Sequence, residues 1–95
     1  MLTRAKVLAA IDAERERQLE IWGDQHRNSA VWGLILFEEV GEFAQAALEG
    51  RTDDAMEEVL QVAAICVAML EDHAHRGVKQ CTCDTGTPVT PKEVQ

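Results

Sequence analysis

The stretch EEVGE at residues 38–42, followed by EEVLQ at residues 57–61, carries the fold prediction for this chain. Both stretches lie within segments whose apolar residues recur at helical spacing. Residues three or four apart share one helix face, so Glu39 and Glu42 lie on the same side of one helix, and Glu58 lies on an apolar-facing side of the next. A short connection makes the two helices antiparallel neighbours. Three carboxylates are therefore expected at one level of a helical bundle.

Converging carboxylates predict a metal site. Like charges repel one another at neutral pH unless a cation holds them. A hard divalent ion such as Mg²⁺ prefers carboxylate oxygens and keeps water positions open, with Mn²⁺ as the alternative ion. The competing interpretation is a solvated acidic helix face, which is where such residues usually lie. It fits Glu38 and Glu57, but Glu39, Glu42 and Glu58 fall on stripes of apolar residues.

Composition restricts the classes of protein to which the chain can belong. At 95 residues it is one domain at most. Its apolar content is 46% and its aromatic content only 4%, while strong helix formers are plentiful, so an all-α fold is predicted. A net charge of −8 argues against a nucleic-acid polymer as partner. It is compatible with a nucleotide carried as a metal complex, because the metal reverses the local charge.

We expect a cytoplasmic protein that does not bind or span a membrane. No apolar stretch of signal-peptide length occurs near the start of the sequence. The longest apolar run, residues 59–70, is too short to span a bilayer. The odd number of cysteines, 3, argues against a disulfide framework in such a chain.

Three helices are predicted, over residues 3–22, 29–49 and 52–76. Glycines are expected to end them, because a glycine readily adopts the backbone conformation that closes a helix. These glycines are Gly23, Gly50 and Gly77. Residues 1–77 are therefore assigned to one all-α domain, and residues 78–95, which are polar and without period, to a poorly ordered tail.

The third predicted helix is apolar on more than one side. One stripe contains Met56, Leu60, Ala63, Val67 and Leu70, and another contains Val62, Ile65, Cys66 and Met69. A helix that is apolar all round must be buried all round, which three helices of this size cannot achieve. Self-association around this helix, as a dimer or tetramer with a four-helix-type bundle, is the expected solution.

A second constellation combines Gln18, Trp22, His26 and Trp32. Trp22 and His26 flank the glycine that ends the first helix, where an aromatic ring could stack on a base while amide and imidazole groups contact its edge. The alternative is that Trp22 fills the core and His26 is an ordinary loop residue.

Two further groups are weaker candidates. His73 and His75, with Cys81 and Cys83, have the chemistry of zinc ligands, but their short spacing alone is weak evidence. Arg51 and Lys79 are candidates to neutralise phosphate, on charge alone.

Together these residues resemble the MazG-like all-α NTP pyrophosphohydrolase superfamily, which includes the dCTP pyrophosphatases and small phage-type MazG-like proteins. The resemblance covers about residues 10–72. The matching elements, in chain order, are Gln18, Trp22 with His26, Trp32, the stretch LILFEEVGE at residues 34–42, and Glu57 and Glu58 with Gln61. In the family, an E-x-x-E pair on one helix is followed by E-x-x-D on the next, so this chain departs from the pattern at Gln61.

The resemblance implies Mg²⁺-dependent hydrolysis of a nucleoside triphosphate, such as dCTP, to the monophosphate and pyrophosphate. It implies that Glu39, Glu42 and Glu58, with Gln61, hold the metal. Glu38 or Glu39 would be the catalytic base, and Gln18, Trp22, His26 and Trp32 would bind the substrate. Two alternatives stay open. Because Gln61 lacks the charge of the usual Asp, the protein could be a nucleotide-binding sensor or scavenger with weak turnover, or it could be a purely structural helical oligomer.

Overall fold

The computed structural model describes the backbone of residues 3–79 and the side chains of residues 3–75. These residues form three α-helices and no strand: α1 (Arg4–Trp22), α2 (Ser29–Leu48) and α3 (Thr52–Lys79). The all-α prediction with three helices is thereby confirmed for this part of the chain. Residues 80–95, which include most of the predicted tail, lie outside the described residues.

Local sequence explains where α1 and α2 begin and end. The side chains of Thr3 and Asn28 cap α1 and α2, accepting hydrogen bonds from the backbone N–H groups of Lys6 and Val31 respectively. Gly23 and Gly50 follow the ends of these helices with φ values of 72° and 76°. Residues with a Cβ atom rarely adopt this backbone conformation, whereas glycine adopts it readily. The predicted boundaries of α1 and α2 are correct to within one residue.

The predicted end of the third helix is wrong. α3 continues through Gly77 to Lys79. A glycine ends a helix when its φ turns positive, and among the described glycines only Gly23 and Gly50 have a positive φ. A glycine that keeps helical dihedral angles costs only about 1 kcal/mol relative to alanine, so it can also remain inside a helix.

α3 is the central element, because it packs against both α2 and α1. The core consists of Trp32 from α2 with Ile65 and Ala68 from α3, against which Ile35, Leu36 and Met69 pack. The other buried apolar residues of the described range are alanines, which allow the helix backbones to approach closely: Ala46, Ala55 and Ala64. This packing fixes α2 and α3 as the antiparallel pair that carries the acidic stretches.

Large apolar side chains remain exposed on the outer faces of the helices. On α3 they are Met56, Val59 and Leu70, whose exposed fractions are 54%, 42% and 64%. Met56 and Leu70, at the two ends of one predicted apolar stripe of α3, are therefore uncovered within the protomer, whereas the residues between them are partly buried: Leu60, Ala63 and Val67. None of the helices in the described range combines the length and apolar character needed to cross a membrane.

Candidate functional site

Three carboxylates of the acidic stretches meet where α2 and α3 pack together. Glu39, Glu42 and Glu58 each offer an oxygen, and these three oxygens lie within 4.8 Å of one another. Glu39 and Glu58 are partly buried, whereas Glu42 is exposed. The helical spacing explains the arrangement, because Glu39 and Glu42 are one turn apart on α2 and Glu58 approaches from the antiparallel helix. The structure thus brings together the three glutamates singled out in the sequence.

Two oxygens of this cluster are buried without compensation. Oε2 of Glu39 and Oε2 of Glu58 have no hydrogen-bond partner among the described residues. Burial raises the pKa of Glu39 to about 7, reinforced by the close approach of the Glu58 carboxyl group and by repulsion from Glu42, Glu58 and Glu38. A carboxylate set with orphaned buried oxygens fits a hard cation, which would satisfy those oxygens and remove the repulsion. The donor atoms are therefore suited to a divalent metal ion.

The other acidic candidates lie around this cluster. Glu38 and Glu57 are exposed, as expected for a solvated face. Glu38 nevertheless lines the neighbouring pocket, so it is placed where it could contact a ligand. Gln61 is partly buried and lies one turn after Glu58 on α3. That spacing puts Gln61 on the same helix face as Glu58, and its role as a metal ligand stays a prediction.

A pocket of about 240 Å³ adjoins the carboxylate cluster and lies between all three helices. Its lining residues are Arg15, Gln18, Trp22, Gly23, Gln25, Arg27, Trp32, Ile35, Glu38, Glu39, Ile65 and Ala68. Two indole rings, two guanidinium groups and two amides therefore surround a cavity whose edge carries Glu38 and Glu39. Such a mixture of flat apolar surface and polar groups is typical of small-molecule sites.

The two tryptophans play different parts in this pocket. Trp32 is a core residue with an exposed fraction of 6%, and its ring forms the inner wall. Trp22 is 54% exposed, so it does not fill the core and instead forms the rim of the pocket. Gln18, with an exposed fraction of 3%, lies inside the same pocket. Three of the four predicted substrate-binding residues thus line one cavity.

His26, the fourth, does not line this pocket but a smaller neighbouring cavity. Its Nδ1–H donates to Oδ1 of Asp72 at 2.8 Å, and its Nε2 lies 3.2 Å from Oδ2 of Asp24. The hydrogen bond to Asp72 raises the pKa of His26, with a smaller contribution from Asp24. The ring also stacks on His75, with centroids 4.8 Å apart. His26 is therefore engaged in holding the loop between α1 and α2 against α3.

Asp72 is the residue that the sequence interpretation missed. It is 4% exposed, and its Oδ2 accepts hydrogen bonds from the indole Nε1 of Trp32 at 2.8 Å and from the backbone N–H of Arg27 at 2.9 Å. With the bond from His26, one carboxylate joins α3, the loop and α2. The available signal was its spacing, because Glu58, Ile65 and Asp72 recur every seven residues on one face of α3.

Two arginines were also missed. Arg15 is 9% exposed and forms an ion pair with Glu71 at 2.8 Å, which links α1 to α3. The guanidinium carbon of Arg27 lies 5.7 Å from the centre of the Trp32 ring. Its Nε is buried and has no hydrogen-bond partner among the described residues. The pocket thus contains a cationic group with an unused donor.

The weaker candidates find little support in the geometry. Arg51 is paired with Glu49 at 2.8 Å and with Asp54 at 3.0 Å, so its charge is already compensated. The side chain of Lys79 lies outside the described residues, as do Cys81 and Cys83. His73 is partly buried and His75 stacks on His26.

Comparison with known proteins leaves the chain without a match: no protein family, curated protein or solved structure resembles it closely enough to be assigned.

Proposed function

We propose that this protein is a metal-dependent nucleotide pyrophosphohydrolase, which cleaves a nucleoside triphosphate to the monophosphate and pyrophosphate. The observation that supports it is the junction of two different environments at Glu38 and Glu39. One side is an acidic cluster with orphaned buried oxygens, and the other is a pocket with aromatic and guanidinium groups. A nucleotide bound to a divalent ion has this same division into an anionic, metal-bound end and a flat apolar end.

Each part of the site has an assigned role. Glu39, Glu42 and Glu58, with Gln61, would hold Mg²⁺, for which Mn²⁺ is the alternative. When bound, this ion polarises the phosphate oxygens and lowers the pKa of the attacking water. Glu38 and Glu39 both border the pocket and are the candidate proton acceptors. Glu38 is exposed and outside the three-oxygen cluster, which leaves its carboxylate available to take a proton from water.

The pocket would receive the nucleoside. Trp22 at the rim and Trp32 at the inner wall offer ring faces on which a base can stack. Gln18 offers an amide that can bond the edge of the base, and Arg27 offers its unpaired Nε–H. His26 acts indirectly, by fixing the loop through Asp72. A pyrimidine deoxynucleotide such as dCTP is one candidate substrate.

The second candidate is a nucleotide-binding protein with weak turnover, acting as a sensor or scavenger. Gln61 favours it, because an amide supplies an oxygen to the metal without the negative charge of an Asp. In either case we expect a homodimer or homotetramer, and the exposed Met56, Val59 and Leu70 on α3 support self-association.

A substrate screen tests the proposal. Each of the common ribo- and deoxyribonucleoside triphosphates is incubated with Mg²⁺ and inorganic pyrophosphatase, and phosphate release is measured. We expect release from at least one nucleotide, loss of that release in Glu42→Gln, and its retention in Glu57→Gln, which removes a neighbouring exposed charge outside the cluster. Binding of a nucleotide without release of phosphate would favour the sensor. The absence of both binding and release would refute both candidates.

A further inference from the structure

α2 carries an apolar strip on the side opposite its contact with α3. The strip consists of Ala30, Leu34, Phe37, Gly41, Ala44 and Leu48, all of which are exposed. The exposed fractions of Leu34, Phe37 and Leu48 are 70%, 77% and 86%. The intervals between the six positions alternate between four and three residues, which is the spacing of the seam of a coiled coil. This strip is separate from the exposed residues of α3.

The glycine in the middle of the strip has no explanation inside the protomer. A Cβ built on Gly41 would meet no atom within 4 Å in the described part of the chain. Its φ is not positive, since only Gly23 and Gly50 have positive φ among the described glycines. A glycine inside a helix lowers its stability by roughly 0.5–1 kcal/mol relative to alanine. A close approach by something outside the protomer would account for it.

The strip is complementary to itself when two copies run antiparallel. The midpoints of positions 30 and 48, of 34 and 44, and of 37 and 41 all fall at position 39. A twofold axis level with that position therefore places each large side chain opposite a small one: Leu48 faces Ala30, Leu34 faces Ala44 and Phe37 faces Gly41. Layers of this kind are those of an antiparallel two-stranded coiled coil. A parallel pair would instead place Phe37 against Phe37 and leave a void at Gly41.

The area of this strip on α2 is also close to what one partner buries in a stable dimer. The strip extends over 19 residues, or about 28 Å of helix. The exposed Gly33, Val40 and Ala47 widen it on one side. The apolar patch is then on the order of 400 Å², within the range of about 300–600 Å² of the largest apolar patch on a typical monomer, which is often a functional surface. Because interfaces are only about 60% apolar, such a patch corresponds to roughly 650 Å² per partner. A standard interface buries about 800 Å² per partner.

We propose that a second copy of this chain covers the outer face of α2, with the two α2 helices antiparallel and Phe37 of each protomer packed against Gly41 of its partner. The inner face of α2 still carries Glu39 and Glu42, so each carboxylate cluster remains within one protomer. Glu38 lies beside the strip, on the rim, where water and salt screen its charge. The proposal does not depend on any enzymatic activity.

Analytical ultracentrifugation of wild type and three variants tests this interface. The wild type should sediment at twice the chain mass of 10.5 kDa or more. Gly41→Leu should halve that mass, raising the dissociation constant of the α2 contact by at least about tenfold, because leucine meets Phe37 of the partner. Its circular dichroism should stay helical, since the site is open within the protomer and leucine favours helix.

The double variant Phe37→Ala with Gly41→Leu should restore the dimer, because the large and small members of the layer have only been exchanged. Glu16→Leu, an exposed position on α1, is the matched control and should sediment like the wild type. A monomeric wild type would overturn the proposal, as would a Gly41→Leu variant that keeps the wild-type mass. Failure of the double variant to re-associate would overturn the antiparallel register.

Discussion

Replacement of Glu39 by glutamine should stabilise the metal-free protein above neutral pH and abolish its response to Mg²⁺. Glutamine has nearly the shape of glutamate, so packing at the partly buried site is retained. It carries no charge to repel Glu42 and Glu58, and its amide can donate a hydrogen bond to a carboxylate of the cluster. The variant thus separates the electrostatics of the site from its packing.

The structure gives the size and the sign of the effect. The pKa of Glu39 is raised from 4.5 to about 7, mainly by burial. A raised carboxylate pKa destabilises the fold above the unfolded value, so the penalty is absent below about pH 4.5, grows up to about pH 7 and is then constant. One pKa unit corresponds to about 1.4 kcal/mol, which gives about 3 kcal/mol for the whole shift. Screening by water on the exposed side of Glu42 reduces this to about 1 kcal/mol.

Thermal unfolding at about pH 5 and about pH 8, with EDTA or with Mg²⁺, measures this contribution. A change of about 1 kcal/mol shifts the Tm of a domain of this size by about 4–8 °C. In EDTA at the higher pH, the Tm of Glu39→Gln should exceed that of the wild type by that amount, while at the lower pH the two Tm values should nearly coincide. Wild type should gain about 1 kcal/mol when Mg²⁺ reaches about five times its dissociation constant, and the variant should not.

Glu57→Gln is the matched control, because it removes one exposed charge next to the cluster in sequence. It should leave both the pH dependence and the Mg²⁺ response of the wild type intact. Equal stability of Glu39→Gln and wild type in EDTA at the higher pH would refute the electrostatic reasoning. An unchanged Mg²⁺ response in Glu39→Gln would refute the assignment of Glu39 as a ligand.

Three other predictions concern the pocket and the metal site. In steady-state kinetics, Trp22→Ala should raise KM about tenfold with little change in kcat, because a stacking surface for the base is lost. Trp32→Ala, which removes a core residue, should instead lower the free energy of unfolding by about 3–5 kcal/mol. Asp72→Ala leaves two buried donors unpaired and should lower stability in urea titrations by at least about 2 kcal/mol, compared with little change for the exposed Asp12→Ala. Gln61→Asp should raise kcat if a charged fourth ligand is needed; an already fast wild type that is slowed by the substitution would exclude the weak-turnover alternative.

The sequence predicts the three helices and the meeting of three glutamates because both depend on short-range spacing. Caps and glycines mark the ends of α1 and α2, and residues three or four apart must share a face. Glu58 reaches Glu39 because a short loop leaves α2 and α3 no arrangement other than antiparallel. Gly77 shows the limit of such signals, since a helix can continue through a glycine that keeps helical dihedral angles.

The rest of the site depends on tertiary packing that spacing does not encode. Asp72 lies 40 or more residues from its partners Trp32, Arg27 and His26, and only the meeting of α3 with the loop brings them together. The interpretation in which Trp22 fills the core is wrong, because this residue is 54% exposed, whereas Arg15, which pairs with Glu71, is buried. The apolar residues of α1 are spread around the helix and do not form a single stripe, so periodicity alone does not place its inner face.

Product analysis in ¹⁸O-labelled water tests the central claim most directly. The wild type is incubated with its preferred nucleoside triphosphate and Mg²⁺, and the products are followed by ³¹P nuclear magnetic resonance and mass spectrometry. A pyrophosphohydrolase that directs water to the α-phosphorus yields the labelled monophosphate and unlabelled pyrophosphate, and this reaction should be lost in Glu42→Gln. Formation of a diphosphate with inorganic phosphate, or intact triphosphates throughout, would contradict the account.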